Sequence, residues 1–528
     1  MTIDAPMFIY ITGSLSVLML IWLTIEVGRN DAANIVNAVF GARVLRRKTA
    51  VRIAALTVIL GAWASSPVME TARKGIFDPS TIPVECALCI YLAVYLVDTV
   101  LLFSFSSFGM PISTTACLIF SLLGGGFALG GADTVQWSTS IKVIFAIVCS
   151  IFISGALGFL IQRAFRGAIG QECEDPDKVR LHGPWIAGAL LTGLVYFILM
   201  KGMKDIVLIV LLRQMTIDIL GAPTVLLVVW IVLSLIIWII IHIWKDKVSR
   251  HLFAAMAIIG MLAIAIAFGQ NDLANCASPG VASWMILENG IENAHVAHEY
   301  PVRPELLLIC GCLLAFGMMS KTAQRVTRSA VNTGSQGDVV RLYAPEWCVK
   351  IAKFITPRQD HEEALSPEAE YSPKHKLQHY DALRAAVITS VSASVIAFAS
   401  GMGLPVSTTY VAFATVISTG WADRIFQRGD AQLKLGRTIW VVFCWFFSAL
   451  LAAIFSGITA KTISVLGTFG IILVLIINLF IRWYFKRKSD QQEERLQQEA
   501  DERRKQIVDD SSDSKKAIID SDIDSDDD

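Results

Sequence analysis

Two short patterns, each written twice in the chain, hold the residues best equipped for chemistry. Gly28-Arg29-Asn30-Asp31-Ala32-Ala33-Asn34 and Gly269-Gln270-Asn271-Asp272-Leu273-Ala274-Asn275 both read G-x-N-D-x-A-N. Gly109-Met110-Pro111-Ile112-Ser113-Thr114-Thr115 and Gly403-Leu404-Pro405-Val406-Ser407-Thr408-Thr409 both read G-apolar-P-apolar-S-T-T. The first pair supplies hard oxygen donors that suit sodium: carboxylates at Asp31 and Asp272, carboxamides at Asn30, Asn34, Asn271 and Asn275. Backbone carbonyls at Gly28 and Gly269 would join them if the helix is interrupted there. The second pair suits an anion. Pro111 and Pro405 fit the first turn of a helix, where a missing N–H is harmless. Hydroxyls at Ser113, Thr114, Thr115, Ser407, Thr408 and Thr409 then stand beside unpaired amides and the positive end of a helix dipole. Phosphate held this way, without an obligatory arginine, can be released again. A cation offsets the cost of burying the carboxylates, and binding both ions together stabilises each, a physical route to coupling.

The two patterns occur in the same order in each half. Asn30 to Ser113 spans 83 positions and Asn271 to Ser407 spans 136. A polar stretch at 321–380 explains most of the difference, because its counterpart, 69–85, is far shorter. The chain therefore reads as a duplication: a first transport repeat at 1–165, connecting segments at 166–250, a second repeat at 251–460 with insertion 321–380, a last helix at 461–488 and an acidic tail at 489–528.

The elements that position these motifs are apolar. Of 528 residues, 54% are hydrophobic and 17% charged, far more apolar material than soluble cores bury. Runs long enough to cross a bilayer as helices fall at 6–27, 50–68, 86–106, 112–130, 140–162, 184–203, 223–244, 253–270, 304–320, 381–402, 405–420, 437–457 and 461–485. These give 11 to 13 crossings, with Pro and Gly marking broken or re-entrant segments at the site. The expected fold is an all-α integral membrane protein. Met1–Met7 has no basic region or cleavage pattern, so no cleaved signal peptide is expected.

Charge sets the expected orientation. The 45 basic and 45 acidic residues cancel, but the tail from Ser489 carries 15 acidic and 6 basic residues, so it is −9 and the body +9. Basic clusters at 43–52, 245–250, 321–328, 424–437 and 482–488 alternate with connections poor in Lys and Arg. Basic loops lie inside, which puts the N-terminus outside and the tail inside. The first G-x-N-D-x-A-N then precedes an inside loop and the second an outside one. Two copies facing opposite ways are the pattern of a secondary transporter with a midplane site.

These four segments resemble the inorganic phosphate transporters of the PiT type, over about residues 8 to 480. The resemblance implies sodium- or proton-coupled phosphate symport, inverted repeats, a homodimer in the cell (inner) membrane, and no cofactor beyond the coupling ion. It places Asn30, Asp31, Asn34, Asn271, Asp272 and Asn275 on the family's Asn/Asp positions, and 113–115 and 407–409 on its Ser-Thr-Thr. Four positions depart from it. Ala116 and Tyr410 stand where a histidine often follows, Val58 stands where a glutamate is common, and Arg29 replaces a small residue.

Other segments carry less. The ten cysteines lie mostly in apolar runs and read as packing, and Cys86 with Cys89 lacks a second pair for zinc. His295 and His298 have helical spacing but read as part of a solvated loop. A short helix is expected near 345–355, a helical extension over 493–507, and no structure in the acidic run from Asp509. Nothing calls for nucleic acid or for an enzyme. The rival readings are a sulfate or other oxyanion carrier, a phosphate sensor without transport, and a membrane metallohydrolase built on the two histidines.

Overall fold

A computed structural model describes residues 5–170, 175–202, 207–289, 302–320, 323–336, 340, 342–356, 379–427 and 430–511. Helices dominate them, and the only strand-like pairing among them is an isolated bridge between Phe77 and Val135. The first half contains α1 (Ala5–Gly41), α2 (Arg47–Trp63), α3 (Ser66–Lys74), α4 (Val84–Ser107), α5 (Thr114–Gly130) and α6 (Trp137–Ile169). A connecting set follows: α7 (Pro176–Leu194), continued by π-helical turns at Val195–Gly202, then α8 (Val207–Leu220) and α9 (Ala222–Trp244). The second half contains α10 (Leu252–Asn289), α11 (Pro304–Met318), α12 (Ala323–Thr333), α13 (Glu346–Ile355), α14 (Ala382–Gly401), α15 (Thr408–Ala422) and α16 (Ala431–Ser511).

Eight of these are long and apolar enough to cross a membrane, and α5 and α11 are shorter apolar helices. Each of the thirteen expected runs falls on a helix, and α8 is an addition. The last two runs are both in α16, which is really two helices, 431–466 and 468–511, meeting at Gly467 (φ 57°). The chain reverses there. Arg437 before the break and Asp490 after it both reach α12, at Ser329 and Arg325 (each 2.8 Å), whereas a straight helix would hold them about 80 Å apart.

The halves interlock by exchanging partners. α1 packs on α11 of the other half and α10 on α2, while α1 and α10 also lie against each other. Likewise α5 packs on α16 and α15 on α6, while α3 lies against α10 and α12 against α1. The closest approaches obey the same exchange. A Cβ at Gly28 would strike the Leu314 carbonyl and one at Gly317 the Ile25 carbonyl; Gly269 and Gly61 face the Val58 and Ile266 carbonyls in the same way. Small residues let these backbones meet without a polar contact, the usual device for joining helices in lipid. These close approaches thus occur in pairs related by an exchange of the two halves.

The chain between α4 and α5 turns at Gly109 (φ 64°), and that between α14 and α15 at Gly403 (φ 70°), a conformation that favours glycine. Helices α4 and α5 pack side by side, as do α14 and α15, so each Ser-Thr-Thr stands at the bend of a hairpin. α12 covers the first bend: Arg325 O and Ser329 lie against Gly109. α3 covers the second through Thr71 Oγ1, which donates to Gly403 O (2.7 Å).

Two expectations change. G-x-N-D-x-A-N does not end a helix, because α1 runs on to Gly41 and α10 to Asn289, and the Gly28 and Gly269 carbonyls are therefore not freed. Pro111 and Pro405 are not in the first helical turn either. Helices α5 and α15 begin three residues later, capped by Ser113 and Ser407. The interruptions lie at the two hairpin bends.

Candidate functional site

α1 and α10 carry the Asn-Asp motifs past the two bends, and the N-terminal ends of α5 and α15 meet there. Ser113 Oγ accepts from Ala116 N (3.0 Å) and Ser407 Oγ from Tyr410 N (3.1 Å), the ordinary N-cap bond. The amides of Thr114, Thr115, Thr408 and Thr409, in the first turns, have no intrahelical acceptor.

The side chains of the doubled motifs come together in exchange-related pairs. Asn30 Nδ2 donates to Ile112 O (3.0 Å), and Asn271 Nδ2 to Val406 O (2.6 Å). Asn34 Nδ2 donates to Thr409 Oγ1 (2.9 Å), and Asn275 Nδ2 to Thr115 Oγ1 (2.7 Å). Thr409 Oγ1 reaches Ile112 O (3.3 Å), and Thr115 Oγ1 reaches Val406 O (2.9 Å). Each Asn-Asp motif thus reads the bend belonging to its own half and the threonine of the other.

The carboxylates meet at one hydroxyl. Thr114 Oγ1 lies 3.2 Å from Asp31 Oδ2 and 3.1 Å from Asp272 Oδ1, and Thr408 lies beside Asp272. Asp31 Oδ1 also accepts from Asn30 (2.8 Å), Asn34 (3.1 Å) and Thr409 (3.1 Å). Asp272 Oδ1 accepts from Asn275 (2.7 Å), while Oδ2 has no hydrogen bond. Asn30 Oδ1 and Asn275 Oδ1 are also buried without a donor. Both acids are fully buried, and among the described residues no Lys, Arg or His side chain acts on either.

Arg29 does not pair with Asp31. Its guanidinium bonds Glu26 (2.5 Å) and Ser106 Oγ (3.3 Å) over the Phe103 ring, and Arg482 joins the same Glu26 (2.5 Å). This cluster ties α1, α4 and α16 together one helical turn from the site. His295 and His298 lie outside the described residues, and no group of three His, Cys, Asp or Glu that could hold a metal occurs within them. Sequence reasoning missed the Ile112 and Val406 carbonyls, because backbone acceptors show nothing of themselves in residue type. It also missed Trp445, whose Nε1 donates to Pro111 O (3.2 Å) while its ring stacks on Tyr410 (4.1 Å).

Residues 27–332 and 375–456 match the model of the phosphate transporter family. A protein of Pyrococcus horikoshii named "Putative phosphate permease" is 27% identical over 452 residues, covering 84% of this chain and 95% of that one. One of the same name from Helicobacter pylori is 23% identical over 417 residues, 76% of this chain and 67% of the other. A solved structure titled "The sodium-dependent phosphate transporter" shares the fold, with a TM-score of 0.62 and 19% identity over 87% of this chain and 99% of that one. The doubled motifs, the exchanged helices and these matches lead to one conclusion: the chain is an integral, multi-pass membrane protein that belongs to the phosphate transporter family.

Proposed function

We propose that the protein carries inorganic phosphate across the membrane by symport with sodium, using the six hydroxyls at the hairpin bends for phosphate and the six Asn-Asp residues for the cation. One observation carries the coupling: two buried carboxylates face the single hydroxyl of Thr114. That hydroxyl has one hydrogen and can donate to only one of them. Two like charges so close, without a basic residue, call for a cation or a proton. The undonated oxygens Asp272 Oδ2, Asn30 Oδ1 and Asn275 Oδ1 are hard ligands and favour sodium.

The hydroxyls explain why one ion needs the other. Thr114 and Thr409 now direct their hydrogens at carboxylates, where they cannot serve an anion. Sodium takes over the neutralisation and releases those hydrogens, and the first-turn amides and dipoles of α5 and α15 complete the anion site. Phosphate in turn offsets the cation's charge.

The Lys and Arg distribution supports an orientation with the N-terminus outside and the tail inside; α12 then covers the Gly109 bend from the cytoplasmic side and α3 the Gly403 bend from the outer side. Opposed covers on equivalent bends suit alternating access. The test is phosphate uptake into proteoliposomes under a sodium gradient. Asp31→Asn removes charge-assisted bonds worth about 1.5 kcal/mol each and lowers uptake roughly 100-fold. Asp272→Asn, with fewer bonds, costs less. Uptake indifferent to sodium and to both substitutions would refute the assignment.

A further inference from the structure

A third carboxylate lies within the membrane-spanning helices, outside both motifs. Asp98 is on α4, 2% exposed, and accepts from Ser121 Oγ of α5 at 2.7 Å. Among the described residues no Lys, Arg or His bonds or pairs with it. The nearby base Arg482 is committed to Glu26 and to the Thr99 carbonyl (3.2 Å). The titratable groups facing Asp98 are Tyr95 on α4 and Cys117 on α5. Cys276 of α10 and Cys310 of α11 act on Tyr95, Asp31 of α1 acts on Cys117, and α16 brings Ser448, the Ala452 carbonyl and the neutral Asn478, which bonds Leu96 O (2.7 Å) and Thr99 Oγ1 (3.2 Å), to this region. Among the described residues nothing supplies a positive charge to Asp98, so an ionised carboxylate here would stand alone in an apolar interior.

The two-fold exchange sharpens the point. Asp98 is 11 residues before Gly109 and Ser121 is 12 after it; the same offsets from Gly403 give Ser392 and Thr415. These also pair, Ser392 Oγ to Thr415 Oγ1 at 3.3 Å. The second hairpin therefore keeps the polar contact with a neutral hydroxyl where the first has an acid. Packing needs no carboxyl at this place. Ser121 also shares one face of α5 with Cys117 and Thr114, at positions i, i+3 and i+7, about 10 Å along the helix from the hydroxyl that touches Asp31 and Asp272.

We propose that Asp98 and Ser121 form a proton-binding site, separate from the sodium and phosphate ligands, through which pH acts on the α4–α5 hairpin. The proposal rests on the transport reading above. Protonation moves one proton from water to an Asp98 carboxyl oxygen. The new O–H donates to Ser121 Oγ, whose own hydrogen turns to the Ala452 carbonyl, now 3.5 Å away. Opening the hairpin to water lets the proton leave, so protons favour the packed arrangement and oppose its opening.

The test is phosphate uptake into proteoliposomes at saturating sodium across a pH series, for the wild type, Asp98→Asn and Asp98→Ser, the last copying the second half. Phosphate's own titration acts on all three equally. The expected result is a wild-type pH response beyond that of phosphate, lost in both variants. A protonated-carboxyl C=O band in the infrared spectrum of the lipid-embedded protein should also be missing from Asp98→Asn. Should that variant fail to fold, Ser121→Ala keeps the acid and must shift the midpoint of the pH response. Variants that keep the wild-type pH response and band would overturn the proposal. A wild type that moves no phosphate at any pH would instead sink the transport reading, with the infrared band still deciding the proton site.

Discussion

The two hairpins are alike where they meet the site and unlike where they begin and end. At the bends, α4–α5 and α14–α15 share their cap bonds and their bonds to the Asn side chains. At its base, α14–α15 is held by charge: Arg166 of α6 binds Asp423 at 2.8 Å and Asp381 at 2.5 Å, with Gln162 and Gln336 completing the cluster. Arg384, fully buried, adds bonds to the Gly334 and Val416 carbonyls. Among the described residues no ion pair ties the base of α4–α5, where contacts such as Thr134 Oγ1 to Gly130 O (2.9 Å) are found instead. Equivalent ligand geometry is thus mounted on unequal anchors, and motion should fall mainly on α4–α5, the hairpin that carries Asp98.

The largest effect comes from removing the stronger anchor. Arg166→Met strands two carboxylates at a buried site and should cost about 3–5 kcal/mol, read as a drop in thermal stability in detergent. Glu85→Gln at the base of the other hairpin should change stability by less than about 0.5 kcal/mol. Equal effects would erase the contrast.

Next is a pH effect where the end of α1 meets the start of the second hairpin. His379 N donates to Gly41 O (2.9 Å) and its ring meets Ser335 Oγ (3.0 Å), which ties the end of α1 to the insertion. Burial first, then the charges of Arg43 and Lys434, pushes its imidazole down to about 4. The folded protein therefore holds it neutral while the unfolded chain protonates near 6.5. The contribution is complete above pH 6.5 and is lost as pH falls toward 4, about 3 kcal/mol in all. Thermal melts over that window should show the loss, and His379→Gln should lack it.

A smaller effect tests the likeness at the bends. Thr115→Val and Thr409→Val each remove a bridge between an Asn and a carbonyl, about 1 kcal/mol or roughly fivefold in the KM of uptake, and Thr409→Val also removes a bond to Asp31. Values more than tenfold apart would break the two-fold equivalence. Smallest is the tail contact. Arg325 binds Ser489 Oγ and Asp490 (both 2.8 Å) at a half-exposed surface, so Arg325→Gln should cost less than about 1 kcal/mol. A melting shift of several degrees would show the tail to be a true anchor.

Much of the site was legible because its chemistry is written in side chains. Doubling exposed Asn30, Asp31, Asn34 and their partners, and hydropathy placed the helices that carry them. The continuity of α1 and α10 through the motifs was not legible. A run of polar residues reads as a helix end, yet here the opposing bends supply their hydrogen bonds and the backbone stays helical. The exchange of partners was hidden as well, since a repeat reveals two equal units and not which one each helix packs against. Asp98 was visible as an acid inside the apolar run 86–106, but its meaning needed Ser392 and Thr415 beside it for comparison. Arg166 and Asp423, 257 residues apart, left no sequence signal.

The exchange of helices also bears on how the protein is made. Thr115 finds its acceptor at Val406, 291 residues later, and Gly124 meets the Ala453 carbonyl. At ribosomal speeds of about 5–20 residues per second, the first hairpin waits roughly 15–60 s in the membrane for its partners. Neither half can finish folding alone, so a chain truncated before α14 should leave the Ser-Thr-Thr end of α5 without its mate, exposed to quality control.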